Sequence, residues 1–358
     1  MNPRNRLNIL RKPIRPILIA VVALSLVTGP SAAVGQGPAS AAHRAVSSGP
    51  SNATDAQIRA KWTPEMLRSA RPADMPVHKN ADKPTSNING SAPQSAQTIW
   101  QQKWWAVPSQ VGRLYYITKD ANGADAVGMC SATAISVDVI VTAGHCVVSV
   151  DGTTNPFWHH TFLFVPAQWG PVDFVGGTNL GPWGTWAGER ATAWQAYAYY
   201  GNSALDYGFV KMLPHPDGKR VGDVVGWFGL YPNLTSYPNG LWNLGYPAQG
   251  HFSSWSGNYP WGCYSPYAGY LSHSEGGELA YEIYMGCGSN GGASGGPWVV
   301  PYNGVWNYVA SVNSQCWASW DSPDGVTPSC KAYYSENLWG PWFDQRTVQL
   351  LAYAETLN

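Results

Sequence analysis

The sequence predicts an all-β protein rather than a helical one. Only 12% of the 358 residues are charged, whereas glycine (39), tryptophan (19) and tyrosine (20) are abundant. Aromatic side chains favour strands and glycine serves turns; carbohydrate-binding platforms are a less common use of so many aromatic residues. Short apolar runs also recur at turn-separated intervals from position 111 onward, which is typical of a β-barrel or sandwich.

Each apolar run is assigned to an element in chain order. We expect strands at Val111–Ile117, two within Met129–Val141, and further strands at Phe162–Val165, Asp173–Val175, Ala191–Ala198, Tyr207–Met212, Val224–Phe228 and Leu241–Leu244. Trp298–Val300 and Trp306–Val312 predict a hairpin, because Asn303-Gly304 between them is a strong turn dipeptide. Pro341–Leu357 predicts a C-terminal helix, since proline suits an early helical position and the apolar residues share one face.

The chain divides into three regions by composition. Residues 1–33 are expected to be a signal peptide, because basic residues precede an apolar run, Ile17–Val27, that is shorter than the ~20 residues a membrane-spanning helix needs. Residues 34–110 are rich in Ala, Ser, Pro and Asn and are expected to be a propeptide or a linker, with a short helix near Pro64–Ala70. They carry 8 Lys/Arg against 4 Asp/Glu, whereas residues 111–358 carry 8 against 17, so docking of the two is favoured.

Ser294 lies in Gly292-Ala293-Ser294-Gly295-Gly296-Pro297, where small residues leave its hydroxyl accessible to an electrophile. A reacting carbonyl must approach to roughly 3–3.5 Å, and its developing oxyanion needs backbone N–H groups, here those of Gly292 and Ser294. A simple glycine-serine turn is the alternative. This stretch therefore predicts a nucleophile only if a base accompanies it.

His145 and Asp206 supply the partners that a serine nucleophile requires. His145 follows the apolar run before Thr142-Ala143-Gly144, and Asp206 precedes the run Phe209–Val210. Histidine can shuttle a proton near neutral pH, and a carboxylate fixes its tautomer. Asp173, in Val172-Asp173-Phe174-Val175, is the chief rival of Asp206 for the acid role.

The order His145, Asp206, Ser294 discriminates among folds. The nucleophile elbow of α/β-hydrolases needs a histidine after the serine, and none follows Ser294. A subtilisin-like order could use Asp125 or Asp138, but that fold needs long helices alternating with strands, which this sequence lacks.

These motifs resemble the trypsin-like, chymotrypsin-fold serine peptidases: Thr-Ala-Gly-His-Cys, then Asp-Tyr-Gly-Phe-Val, then Gly-Ala-Ser-Gly-Gly-Pro. The resemblance covers residues 111–358 and is closest to the secreted bacterial branch near the V8-like glutamyl endopeptidases. It implies a double β-barrel with a C-terminal helix, with His145 as the general base, Asp206 as its orienting acid and Ser294 as the nucleophile. Ala293 departs from trypsin, which has an aspartate there to bind the new N-terminus.

The resemblance also assigns cysteines and pocket residues. Six cysteines in an exported chain allow up to three disulfides and 15 pairings. The family pattern implies Cys130–Cys146; Cys263–Cys287 and Cys316–Cys330 are favoured for the rest, with Cys287–Cys316 as the rival. The implied substrate-binding residues are Gly288, Ser289, Ala310, Ser311 and Asn313. Gly288 at the pocket floor and the absence of a histidine after Ser294 predict a neutral P1 preference.

The resulting hypothesis is a secreted serine endopeptidase that acts through an acyl-enzyme. A catalytically silent trypsin-like binding protein and a secreted esterase on the same fold are the alternatives. The expected partners are protein or peptide substrates and the chain's own propeptide, with no nucleic acid, no cofactor and no stable membrane anchor after signal cleavage. No metal is expected, because the sequence contains no C-x-x-C, HExxH or paired-histidine ligand set.

Overall fold

Three short strands and two short helices form the N-terminal part of the described structure. The computed structural model describes residues 44–50, 52–73, 75, 100–103, 107–150, 155–170, 181–234, 240–248, 258–275, 277–287, 289–302, 305–316 and 338–357. The N-terminal elements are β1 (Ala45–Ser47), α1 (Asp55–Lys61), α2 (Pro64–Ser69), β2 (Arg71–Pro72) and β3 (Trp100–Lys103). The short helix expected near position 64 is therefore confirmed, and the signal region lies outside the described residues.

Six antiparallel strands close into a barrel in the first half of the chain. They are β4 (Val111–Lys119), β5 (Asp125–Ala134), β6 (Val139–Thr142), β9 (His160–Pro166), β10 (Trp186–Trp194) and β11 (Gly208–Met212), with the small pair β7 (Val148–Ser149) and β8 (Phe157–Trp158) and helix α3 (Gln195–Ala198) in the connections. The order is β4-β5-β6-β11-β10-β9, and β9 pairs back onto β4. The barrel part of the sequence prediction is thus confirmed.

Both faces of the barrel wall are buried, which follows from the alternation of side chains along a strand. On β4, Leu114 and Tyr116 point into the barrel core, whereas Tyr115 and Ile117 join a cluster on the outer face. Trp62 and Leu67 of the N-terminal segment cover that outer cluster. The region expected to be a propeptide or linker therefore contributes packed structure to the same compact unit, Ser40–Asn358.

The N-terminal helices form because their ends are capped. Thr54 and Gln57 make a reciprocal capping box at the start of α1, and the Thr63 hydroxyl accepts from Met66 N–H at the start of α2, where Pro64 follows the cap. Such caps satisfy N–H groups that have no partner within the helix. These local signals explain why a segment of low hydrophobicity is ordered.

The second half of the chain contains two sheets. Its elements are α4 (Val221–Val225), β12 (Gly229–Leu230), β13 (Leu241–Gly245), β14 (Trp261–Ser265), β15 (Tyr267–Glu275), β16 (Glu278–Met285), β17 (Pro297–Tyr302), β18 (Val305–Val312), β19 (Gln315–Cys316), β20 (Leu338–Pro341) and α5 (Gln345–Glu355). One sheet has the order β12-β18-β17-β13-β14-β3 and the other β15-β16-β20-β19. Pro266, which has no N–H to donate, separates β14 from β15. The two sheets do not pair with each other among the described strands, so the second of the two barrels expected from the sequence is not closed.

Three element assignments from the sequence are corrected by the structure. Residues 224–228 were expected to be a strand, but Val221–Val225 is the helix α4, which ends at Gly226 with φ +71°. The expected strand Ala191–Ala198 stops at Trp194 and continues as α3. The C-terminal helix begins at Gln345, because Asp344 caps it, and Pro341 instead ends β20. Local capping at Arg220 and Asp344 sets where α4 and α5 begin.

Two elements expected from the sequence lie outside the described residues. Residues 173–175, a predicted strand, and the Asn303-Gly304 turn lie outside the described residues, although both strands of that hairpin are present as β17 and β18. Among the described residues, no helix is long and apolar enough to span a membrane.

Candidate active site

His145 lies in a single 3₁₀ turn, Gly144–Cys146, directly after strand β6. The next residue, Cys146, forms a disulfide with Cys130 of β5, with 6.2 Å between their Cα atoms. This bond ties the turn to the neighbouring strand. The position of the imidazole is therefore set by the barrel wall and not by a free loop.

Asp206 reaches His145 because β11 pairs with β6. Gly208 lies opposite Thr142 in that ladder, so the residues just outside each strand meet. Asp206 Oδ2 is 2.8 Å from His145 Nδ1, and Oδ1 accepts the His145 backbone N–H at 2.8 Å. A Cβ at Gly144 would lie 2.9 Å from Asp206 Oδ1, so the close approach of this carboxylate requires glycine there.

The second half of the chain supplies a third partner to this carboxylate. Ser314, between β18 and β19, donates its hydroxyl to Asp206 Oδ2 at 2.5 Å. Asp206 is only 2% exposed, and a buried charge is tolerated when hydrogen bonds satisfy it. The three donors orient the carboxylate toward the imidazole. Sequence reasoning missed Ser314, because an isolated serine carries no pattern.

Ser294 lies in a glycine-rich turn that packs against the barrel. Ser131 of β5 donates its N–H to the Ser294 carbonyl at 2.7 Å. A Cβ at Gly295, whose φ is +79°, would lie 2.1 Å from Thr142 Oγ1 and 2.7 Å from Ala143 N. The turn therefore lies against the residues that immediately precede His145, and only glycine permits that contact.

The hydroxyl of Ser294 and the Nε2 atom of His145 are both buried. Ser294 is 0% exposed. Within the described part of the chain, neither Ser294 Oγ nor His145 Nε2 has a hydrogen-bond partner. The aspartate-histidine half of the arrangement is thus formed, whereas a hydrogen bond between the histidine and the serine is not.

The backbone N–H of Gly292, an expected oxyanion donor, already has an acceptor. It donates to the carbonyl of Ala73 at 3.2 Å, and the N–H of Ala73 donates to Met129 O at 2.9 Å. Gly292 has φ +89°, a conformation that glycine adopts readily. A stretch of the N-terminal segment therefore lies directly against the candidate oxyanion site.

The other expected pocket residues occupy different environments. Gly288 lies outside the described residues, and Ser289 is 7% exposed. Ala310, Ser311 and Asn313 are fully buried. Asn313 donates to Ala293 O at 3.0 Å and accepts from Trp298 Nε1 at 2.7 Å, so its side chain supports the turn that carries Ser294.

The two aspartates considered for a subtilisin-like order, Asp125 and Asp138, pair with lysines and not with His145. Asp138 pairs with Lys211 at 3.1 Å, and Asp125 pairs with Lys119 at 2.5 Å. Asp173 lies outside the described residues. Of the carboxylates that the structure describes, Asp206 is the one that forms a hydrogen bond with the imidazole of His145.

A second histidine lies behind the site in a neutral form. His159 is 4% exposed and its ring centre is 4.5 Å from that of Tyr116. Burial, together with a smaller effect of the nearby His145, lowers the pKa of His159 to about 3. Desolvation disfavours the charged imidazolium, so this residue stays uncharged across the physiological range.

The described cysteines form disulfides. Cys263 of β14 forms a disulfide with Cys287, shortly before Ser289. Because Cys287 is bonded to Cys263, the rival Cys287–Cys316 pair is excluded. Cys316 is also disulfide-bonded, and Cys330 lies outside the described residues. The one cluster with metal-ligand atoms among the described residues is Cys130, His145 and Cys146. Both of its sulfurs are in a disulfide, so a thiolate site is not formed there.

The chain shares sequence similarity with a known extracellular protease but matches no family model. No protein-family model matches the chain. The chain is 27% identical over 208 residues to the extracellular metalloprotease of Bacillus subtilis strain 168, a match that covers 53% of this chain and 58% of that relative. The chain therefore spans less than two thirds of that relative's length.

One solved structure shows a similar architecture, and a second match is weaker. The protease Anisep from Arthrobacter nicotinovorans superposes with a TM-score of 0.52 at 23% identity, over 71% of this chain and 99% of that one. The thermostable serine protease AL20 from an extremophilic microorganism has a TM-score of 0.49 at 22% identity, over 70% of this chain and 98% of that one. The chain has the chymotrypsin fold of serine proteases.

Proposed function

We propose that this protein is a secreted serine endopeptidase that hydrolyses peptide bonds through Ser294, His145 and Asp206. The observation that carries the proposal is the buried carboxylate-imidazole pair, with 2.8 Å between Asp206 Oδ2 and His145 Nδ1. The pair lies on a chymotrypsin fold, beside a glycine-rich serine turn. Histidine held in this way presents Nε2 as a base.

The chemistry follows from the roles of these groups. Ser294 Oγ attacks the substrate carbonyl carbon while His145 Nε2 takes its proton, which gives a tetrahedral intermediate and an imidazolium. The imidazolium protonates the leaving amine, the C–N bond breaks and an ester to Ser294 remains. Water, deprotonated by His145, then hydrolyses that ester. Asp206 stabilises each imidazolium, and the N–H groups of Gly292 and Ser294 stabilise each oxyanion.

The same proposal extends to the organisation of the chain. Residues 1–33 act as the signal peptide, 34–110 as the propeptide and 111–358 as the peptidase domain. The two sheets of the second half take the place of the second barrel of the fold, with β14–β15 and β18–β19 acting as two bent strands. Opposite net charges of the two parts and an extracellular relative support this organisation.

A neutral P1 side chain is the expected substrate preference. Trypsin has an aspartate at the position of Gly288, and no histidine follows Ser294 to receive an acidic side chain. A buried, unpaired P1 carboxylate would cost several kcal/mol. Asn313, which directly follows the strand β18 that would line the pocket, instead forms hydrogen bonds with Trp298 and Ala293.

A P1-varied peptide library tests the activity and the preference together. We expect cleavage after neutral residues, complete loss of cleavage in Ser294→Ala, and no loss when a chelator is added. Cleavage that persists in Ser294→Ala and stops with the chelator would establish a metallopeptidase instead. A preference of tenfold or more for Glu or Arg would overturn the specificity alone.

A further inference from the structure

Residues 71–73 lie beside the candidate active site and are held there by backbone hydrogen bonds. Strand β2 pairs in parallel with β5, with Pro72 opposite Met129. Ala73 uses both of its backbone groups: its N–H donates to Met129 O at 2.9 Å, and its carbonyl accepts the Gly292 N–H at 3.2 Å. One residue of the N-terminal segment thus bridges the barrel and the serine turn.

The contact leaves no space for another acceptor at the Gly292 N–H. A Cβ at Gly291 would lie 2.9 Å from the Ala73 carbonyl oxygen and 3.4 Å from Pro72 Cβ. The segment and the serine turn are therefore in direct backbone contact. A substrate oxyanion at this N–H would need the space that the Ala73 oxygen occupies.

Buried side chains upstream hold the segment in place. Ile58 is 2% exposed, Trp62 8% and Leu67 5%. Trp62 and Leu67 pack in the outer barrel cluster with Tyr115 and Leu163. In addition, β1 pairs with residues 192–194 of β10. These contacts lie on the barrel wall, so changes to them can loosen the segment without touching the reacting groups.

The state of the site matches a blocked enzyme. Ser294 is fully buried, and within the described structure its Oγ makes no hydrogen bond and neither does His145 Nε2. A serine peptidase ready for reaction needs the hydrogen bond between nucleophile and base and a donor directed at the oxyanion. The hydrogen bond between nucleophile and base is absent in the described structure, and one of the two expected oxyanion donors, the Gly292 N–H, is occupied by the Ala73 carbonyl.

We infer that residues 71–73 are a built-in inhibitor, in which the Ala73 carbonyl occupies the oxyanion-binding N–H of Gly292. This inference rests on the proposed function of Ser294. Release of this inhibition needs no ion pair between a new N-terminus and a carboxylate, and Ala293 offers no carboxylate for one. Activation then requires that the segment leave the site after cleavage of the chain beyond it.

Covalent labelling of the full-length precursor tests this inference. A fluorophosphonate loses fluoride when Ser294 Oγ attacks phosphorus, and its phosphoryl oxygen uses the same N–H donors as a substrate carbonyl. Intact-mass spectrometry separates precursor from processed protein, so the labelling rate of each species is read in one sample. The variants are Trp62→Ala, which weakens the anchor, and Ala73→Pro, which removes the N–H that bonds Met129. Glu65→Gln, exposed on α2, is the matched control.

The expected result is that wild-type precursor and Glu65→Gln precursor label at least 100-fold more slowly than the processed form. Trp62→Ala and Ala73→Pro precursors should each label at least tenfold faster than wild-type precursor, while all processed forms label at equal rates. Precursor that labels as fast as processed protein would overturn the inference and leave the proposed function intact. Absence of label on every processed form would overturn the proposed function itself.

Discussion

Replacing Asp206 with asparagine should abolish most activity without unfolding the protein. The carboxylate accepts from His145 N–H and His145 Nδ1–H at 2.8 Å each, and from the Ser314 hydroxyl at 2.5 Å. An asparagine has one acceptor oxygen and an NH₂ group, so at least one of these donors would face another donor. The imidazole then loses the partner that fixes its tautomer.

The size of the effect can be worked from these contacts. A hydrogen bond to a charged group contributes ~1.5–3 kcal/mol, and two of the three bonds orient the base. Their loss should raise the barrier by ~3–6 kcal/mol, which corresponds to a decrease in kcat of about 10²- to 10⁴-fold. KM should change little, because Asp206 does not contact the substrate.

The assay is peptide hydrolysis by processed protein, with thermal unfolding measured on the same sample. Asp138→Asn is the matched control, since it makes the same chemical change in a carboxylate that pairs with Lys211 and not with His145. The control should keep its kcat within threefold. A loss below tenfold in Asp206→Asn, with normal thermal unfolding, would refute the role given to this carboxylate.

Two further changes test neighbouring groups. Ser314→Ala removes one donor to Asp206 and should lower kcat about tenfold with little change in KM, since one such bond contributes ~1.5 kcal/mol; an unchanged kcat would show that the hydroxyl does not help to orient the carboxylate. His159→Gln should reduce the acid sensitivity of folding. The pKa of His159 is about 3 in the folded protein and about 6.5 when unfolded, so the unfolded state binds the extra proton between these values. Stability is thus full above pH 6.5 and falls as the pH drops toward 3. Urea unfolding across this window should show a shallower loss in the variant, and identical slopes would contradict the assignment.

Much of the candidate site could be predicted because its chemistry is local in sequence. The glycines around Ser294 and the apolar run before His145 are short motifs that can be recognised without knowledge of the fold. The pairing of β6 with β11 then explains why Asp206 meets His145. Ser314 could not be predicted in this way, because its role depends on a contact across 108 residues that no local pattern marks.

The fold was harder to predict where two local tendencies compete. The run Val224–Phe228 is rich in β-branched and aromatic residues, yet Asp223 and Arg220 cap a short helix there. The N-terminal segment has too little apolar content to suggest packing, but Ile58, Trp62 and Leu67 bury themselves on a barrel face that exists only after the strands assemble. Composition averages over a window and misses such sparse anchors.

The central claim is that Ser294 and His145 work as one catalytic unit, and a double-mutant comparison of kcat tests it most directly. Ser294→Ala, His145→Ala and the double variant would each be processed to the same N-terminus by immobilised wild-type protein, which is then removed. Because each group acts through the other, the double variant should be no more than a few-fold slower than either single variant. A double-variant defect equal to the product of the two single defects would contradict the account.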